Sequence, residues 1–183
     1  LTNNSPAPAE ISVELGGKKF DVSQFGRIPL IGKPESTWAA VPATGIPAGE
    51  VAVLFMSSNP ATSFGCPVPV AQTPSMAISG TGRSQAWHIH TSVPVSAYDI
   101  MPYGGATSFL PGSSLLLPTS AWDTNYVAVV PKQEVPLGGA TSAYASGPQW
   151  AQLIAQEDGS TVEVQPTVDL PGGVDVLAAP HND

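Results

Sequence analysis

His88 and His90 are the residues of this chain best suited to chemistry, flanking Ile89 and following Gly82 after five intervening residues. On an extended strand, side chains two positions apart point to the same side, roughly 6 to 7 Å from one another, so two imidazoles can converge on one transition ion. A metal centre of this pattern also needs an acidic ligand shortly after the pair, where Pro94 and Val95 stand instead. Asp99 or His181 could complete the set only through the fold. The simpler reading makes both histidines solvent-facing strand residues, with Trp87 and Ile89 turned to the core.

Other reactive types fall short of a complete signature. Ser84, His88 and Asp99 supply the types of a hydrolytic triad, yet no Gly-x-Ser-x-Gly elbow frames the serine. Cys66 is the single thiol, so it has no disulfide partner within the chain, and three scattered histidines do not make it a nucleophile. Gly80-Thr81-Gly82 lacks the later glycine and the helix of a phosphate-cradling loop. Glu157-Asp158-Gly159 places two acids in a tight turn without the carboxylate spacing of a calcium loop. No catalytic residue and no cofactor is therefore expected. The aromatics offer a binding chemistry: flat amphipathic rings give large contact area at low entropic cost. Packing accounts for most of them, but Tyr103 and Tyr144 lie in glycine- and serine-rich loops and are the candidate ligand-binding residues.

The elements that must position these residues read as strands. Ile11, Val13 and Leu15 alternate with Ser12 and Glu14, Gly16-Gly17 offers positive φ, and Phe20 and Val22 resume the alternation. That is a two-residue hairpin signal. A second hairpin is predicted where Ala151, Leu153 and Ala155 lead through Asp158-Gly159 to Val162 and Val164. Residues 51–55, 87–91, 95–100, 115–117 and 126–130 are further strand candidates. Residues 29–47 and 60–74 read as long proline-fixed surface connections, and residues 135–148 as a flexible or binding loop. No window shows sustained 3.6-residue periodicity.

Composition agrees. Of 183 residues, 20 are proline and 18 glycine, yet 42% are hydrophobic, which fits many short strands joined by ordered loops better than disorder. A chain of this length buries roughly 70% of its unfolded surface, enough for one core without disulfides. The net charge of −8, with only six Lys and Arg, excludes the dense basic surface that nucleic acid or an anionic membrane requires. No apolar run approaches the roughly 20 residues of a spanning helix. The chain opens at Leu1 without a basic or signal-type segment and reads as a processed product or a fragment.

The segment HTSVPVSAYDIMPYGG, followed by FLPGSSLLLPTSAWDTNYVAV, resembles the N-terminal domain of IgGFc-binding protein, found also in many copies in large exported proteins of myxobacteria. The likeness rests on the phrase Val93-Pro94-Val95-Ser96-Ala97-Tyr98, on Ser114 to Pro118, and on Asn125-Tyr126. Upstream, NNSPAPAEISVELGGKKFDVS is similar to the family's opening strand pair. The resemblance implies an exported β module used for binding or adhesion, with no catalytic residues and with further strands beyond Asp183. Most of the family's cysteines are missing, and antibody binding belongs to the animal protein.

The expectation is an all-β chain: a single β-sandwich domain over residues 1–183, of mainly antiparallel strands with long Pro/Gly-rich loops, within a longer exported protein. It would bind a protein or glycan at the cell surface, with self-association as a further mode, and would contact neither nucleic acid nor the membrane interior. Two other readings are a metal-dependent enzyme on a cupin-like barrel using His88 and His90, and a structural subunit of a surface assembly.

Overall fold

The computed structural model describes residues 1–58, 65–73, 76, 80–101, 103, 112–129 and 151–181. The chain divides into two compact units, Leu1–Leu116 with Val164–Asp183, and Leu117–Glu163. In the first unit the chain runs through β1 (Ile11–Leu15), β2 (Lys18–Phe20), a helical turn α1 (Val22–Phe25), β3 (Gly26–Ile28), β4 (Ala39–Ala40), β5 (Val53–Leu54), β6 (Trp87–Thr91), β7 (Ala97–Met101) and β8 (Gly112–Leu116). These strands make antiparallel sheets in the orders β2-β1-β6, β4-β3-β5 and β7-β8. The architecture is all-β, as the period-two reading expects.

The first hairpin forms as predicted. Gly16 and Gly17 adopt φ of 55° and 77°, the left-handed pair that a two-residue connection demands, and Leu15 pairs with Lys18 across it. The predicted continuation of alternation through Val22 does not form. Asp21 stops it: the Asp21 carboxylate accepts from the Ser23 backbone N–H at 3.0 Å and caps one helical turn. The Arg27 guanidinium then donates to the carbonyls of Ser23, Gln24 and Gly26, satisfying the acceptors that the turn leaves open.

The core gathers Ala9, Val41, Ile46 and Ala52, with Ile11 of β1 and Ile28 of β3 packed against them, so the two three-stranded sheets share one apolar centre. Val13, Phe25 and Phe55 are also buried. Burial of a side chain such as Phe25 or Ile46 contributes about 1.5–3 kcal/mol each. Residues 29–47 are more than a surface connection, because Val41 and Ile46 lie in this core. The chain turns back between them through Gly45, whose φ is 91° and whose N–H donates to Pro42 O, and Ala9 and Ile46 exchange both backbone hydrogen bonds. A Cβ at Gly45 would overlap the Ala9 carbonyl, so only glycine fits.

Asn3 fastens the start of the chain to this turn. Its fully buried amide donates to Ala7 O at 2.8 Å, Ile46 O at 2.9 Å and Pro47 O at 3.2 Å, while its oxygen accepts from Ser5 N–H. Thr2 exchanges backbone hydrogen bonds with Ser96 ahead of β7. Near the other end of the unit, residues 170–179 fold back on themselves, Leu170 pairing with Ala179 and Gly173 with Val176, and lie along Thr81 and Arg83 through Val174.

In the second unit the predicted turn at Asp158-Gly159 forms, with Gly159 at φ 79° and the Ser160 hydroxyl donating to Glu157 O at 2.8 Å. Its flanks form no paired strands among the described residues, and no strand forms over 126–129. A 3-10 turn, Thr119–Ala121, is closed by the Trp122 indole N–H donating to Leu117 O at 3.2 Å. The first unit repeats this device at Glu35–Thr37, where Trp38 donates to Lys33 O at 3.0 Å.

Candidate functional site

Register on the first sheet decides where the histidines point. In β6 the residues Trp87, Ile89 and Thr91 are half-buried, whereas His88 and His90 are exposed. The inward set joins Val13 and Leu15, and the Trp87 ring meets Phe20 edge-on at 5.2 Å. The outward set is polar. β1 pairs with β6 so that Glu14 lies directly across from His88 and Ser12 from His90, and on the far side Glu14 lies across from Lys19 of β2. Lys19 Nζ approaches Glu14 Oε1 at 3.5 Å, an ion pair between an exposed ammonium and a half-buried carboxylate and of small energetic value.

The sheet therefore supplies the carboxylate that the local sequence lacks. Glu14 had no sequence signal as a partner of His88, because the two meet only through strand pairing. Asp99, one of the residues considered for that role, is exposed on β7 opposite Ser114. His181 instead meets Asp169, whose Oδ1 lies 2.9 Å from the His181 backbone N and 2.7 Å from Nδ1, and these hydrogen bonds lower the Asp169 pKa. Among the described residues no three His, Cys, Asp or Glu side chains are already gathered about one point. Both imidazoles stand on the open side of a three-stranded sheet rather than inside a barrel. Among the described residues no hydrogen bond joins Ser84, His88 and Asp99.

Tyr103 is half-buried, its ring packed edge-on against Phe55 at 4.9 Å and its hydroxyl donating to Glu35 Oε1 at 3.0 Å. Burial, reinforced by that hydrogen bond and by the Glu35 charge, pushes its phenol up to about 12. Tyr144 lies outside the described residues. Cys66 is a half-buried free thiol whose backbone N–H donates to Ser58 Oγ at 3.1 Å.

An apolar surface that the sequence reading assigned to strands without a role lies on the β7-β8 ribbon. Tyr98 pairs with Leu115 and is followed on the same face by Ile100, and these three are 55%, 56% and 50% exposed. In the second unit Leu117, Trp122 and Tyr126 are exposed as well. The signal was present in the alternation itself, which marks a face without saying what covers it.

No helix among the described residues is long and apolar enough to cross a membrane. No curated protein and no solved structure matches the chain. Residues 112–183, from the start of β8 onward, match the family model described as IgGFc binding protein; of the phrases that carry the resemblance, Ser114 to Pro118 and Asn125-Tyr126 lie within this match, and those upstream of residue 112 lie outside it.

Proposed function

We propose that this chain belongs to a non-catalytic, extracellular or cell-surface module of a larger exported protein, which binds a protein or glycan through its loops and exposed apolar strands. The observation that carries the reading is that the segment matching the family turns large apolar groups outward: Leu115, Leu116, Leu117, Trp122 and Tyr126 all stand exposed. Large apolar side chains left exposed mark a place of contact, and aromatic rings are efficient anchors there. Tyr144 and the accessible part of Tyr103 are proposed contributors from the loops. The acidic, charge-poor composition favours a partner held by apolar and hydrogen-bonding contacts over a polyanion. Self-association would use the same surface.

The test is direct binding of the labelled full chain to immunoglobulin Fc, to a glycan array and to intact cells. Saturable binding to one of these, weakened about tenfold or more in a Tyr98→Ser, Leu115→Ser double variant with an unchanged circular dichroism spectrum, supports the reading. Absence of saturable binding to all three, or equal binding by the variant, overturns it.

A further inference from the structure

We propose that Glu14, His88 and His90 form a solvent-facing binding site for one divalent transition ion of the zinc and copper class. The inference stands apart from the binding function above and rests on strand register alone. His88 and His90 lie two residues apart on the exposed face of β6, and Glu14 lies directly opposite His88 on the same face. Residues opposite one another on antiparallel strands have Cβ atoms about 4.5–5.5 Å apart, and the diagonal pair, here Glu14 and His90, is about 7–8 Å apart. Those separations suit two imidazole nitrogens at roughly 2.0–2.1 Å and one carboxylate oxygen at roughly 2.0–2.2 Å from a common ion.

The three side chains are not drawn together in this structure, so binding an ion requires their side-chain torsions to change. Both imidazoles are exposed, and Glu14 is held only by the 3.5 Å contact to Lys19, whose side chain is itself largely exposed. The backbone beneath Glu14 is paired on both sides, since β1 is the central strand of β2-β1-β6 with its inward residues Val13 and Leu15 buried, and the edge strand β6 that carries both histidines is paired with β1 along all of Trp87–Thr91. Two nitrogens and one oxygen form a donor set that favours zinc or copper over magnesium or calcium, which prefer all-oxygen sites. Three protein ligands leave the remaining positions to water or to an outside donor.

Titration of the full chain with zinc sulfate and with copper(II) sulfate, followed by calorimetry, tests the site. One equivalent should bind, copper more tightly than zinc, with no competition from a millimolar excess of calcium or magnesium. His88→Ala and His90→Ala should each weaken binding about tenfold or more, and Glu14→Gln by a smaller but resolved factor. Lys19→Ala should tighten it, because it releases Glu14 and removes a like charge beside the ion. The His88→Ala, His90→Ala double variant serves as the blank for adventitious binding at Cys66 or His181. All these side chains lie on the solvent face, and circular dichroism confirms that each variant is folded. Binding to the native chain no tighter than to the double variant overturns the site. Equal affinity of native chain and Glu14→Gln overturns the three-ligand assignment.

Discussion

Replacing Asn3 by alanine is the substitution whose cost the structure defines best. The amide has two N–H groups, and they serve Ala7 O at 2.8 Å and Ile46 O at 2.9 Å, with Pro47 O at 3.2 Å sharing one of them, while Oδ1 holds Ser5 N–H at 2.9 Å. After substitution Ile46 O keeps its bond from Ala9 N–H and Pro47 O keeps that from Glu50 N–H, so Ala7 O and Ser5 N–H lose the most. Three well-formed hydrogen bonds at about 1 kcal/mol each, plus a small void, give a loss of about 3 kcal/mol. With a urea m-value of about 2 kcal/mol/M, the midpoint should fall by about 1.5 M, read by tryptophan fluorescence and far-ultraviolet circular dichroism together. Asn3→Asp should be worse at neutral pH. It removes both donors and sets a buried carboxylate against three carbonyl oxygens, and lowering the pH should restore part of the loss as that carboxylate gains a proton. A midpoint shift below about 0.5 M for Asn3→Ala would refute the claim that this amide ties the opening segment to the Gly45 turn.

Gly45→Ala should destabilise by about 2 kcal/mol or more, because its Cβ meets the Ala9 backbone, whereas Gly17→Ala, at φ 77° with open space around it, should cost only about 1 kcal/mol; paired urea melts compare the two. Tyr103→Phe should lower the urea midpoint slightly through loss of the bond to Glu35. Because the folded phenol titrates at about 12, above its unfolded value of about 10, its contribution is complete below pH 10 and declines as pH rises toward 12, and Tyr103→Phe should flatten that part of the stability profile. Asp21→Ala should loosen the turn at Val22–Phe25, read as faster hydrogen exchange at Ser23 and Gln24. Leu115→Ser should leave the melting curve within about 0.5 kcal/mol of the native chain, since that side chain is already in solvent; a larger loss would show that it packs in the folded protein.

The amino-acid sequence by itself determined those features whose causes are local. Gly16-Gly17 can accept the positive φ of a tight hairpin wherever it occurs, and strict alternation in Trp87–Thr91 puts both histidines on the face opposite Trp87 and Ile89 whichever strand lies alongside. The same locality held at Phe20, which pairs with Val13, but misled at Val22, where a carboxylate cap outcompeted strand continuation. Local cues also predicted paired strands around Asp158-Gly159, yet a turn dictates only its own four residues and cannot supply a partner for its flanks. Only tertiary structure decided that Val41 and Ile46 leave an apparent surface loop for the core, and that Glu14 stands across from His88. Both depend on which distant segments pair, and that choice is bound up with burying Val13 and Leu15 and with packing Ile11 and Ile28 against the core of Ala9, Val41, Ile46 and Ala52, a property of the whole chain that no short window of residues contains.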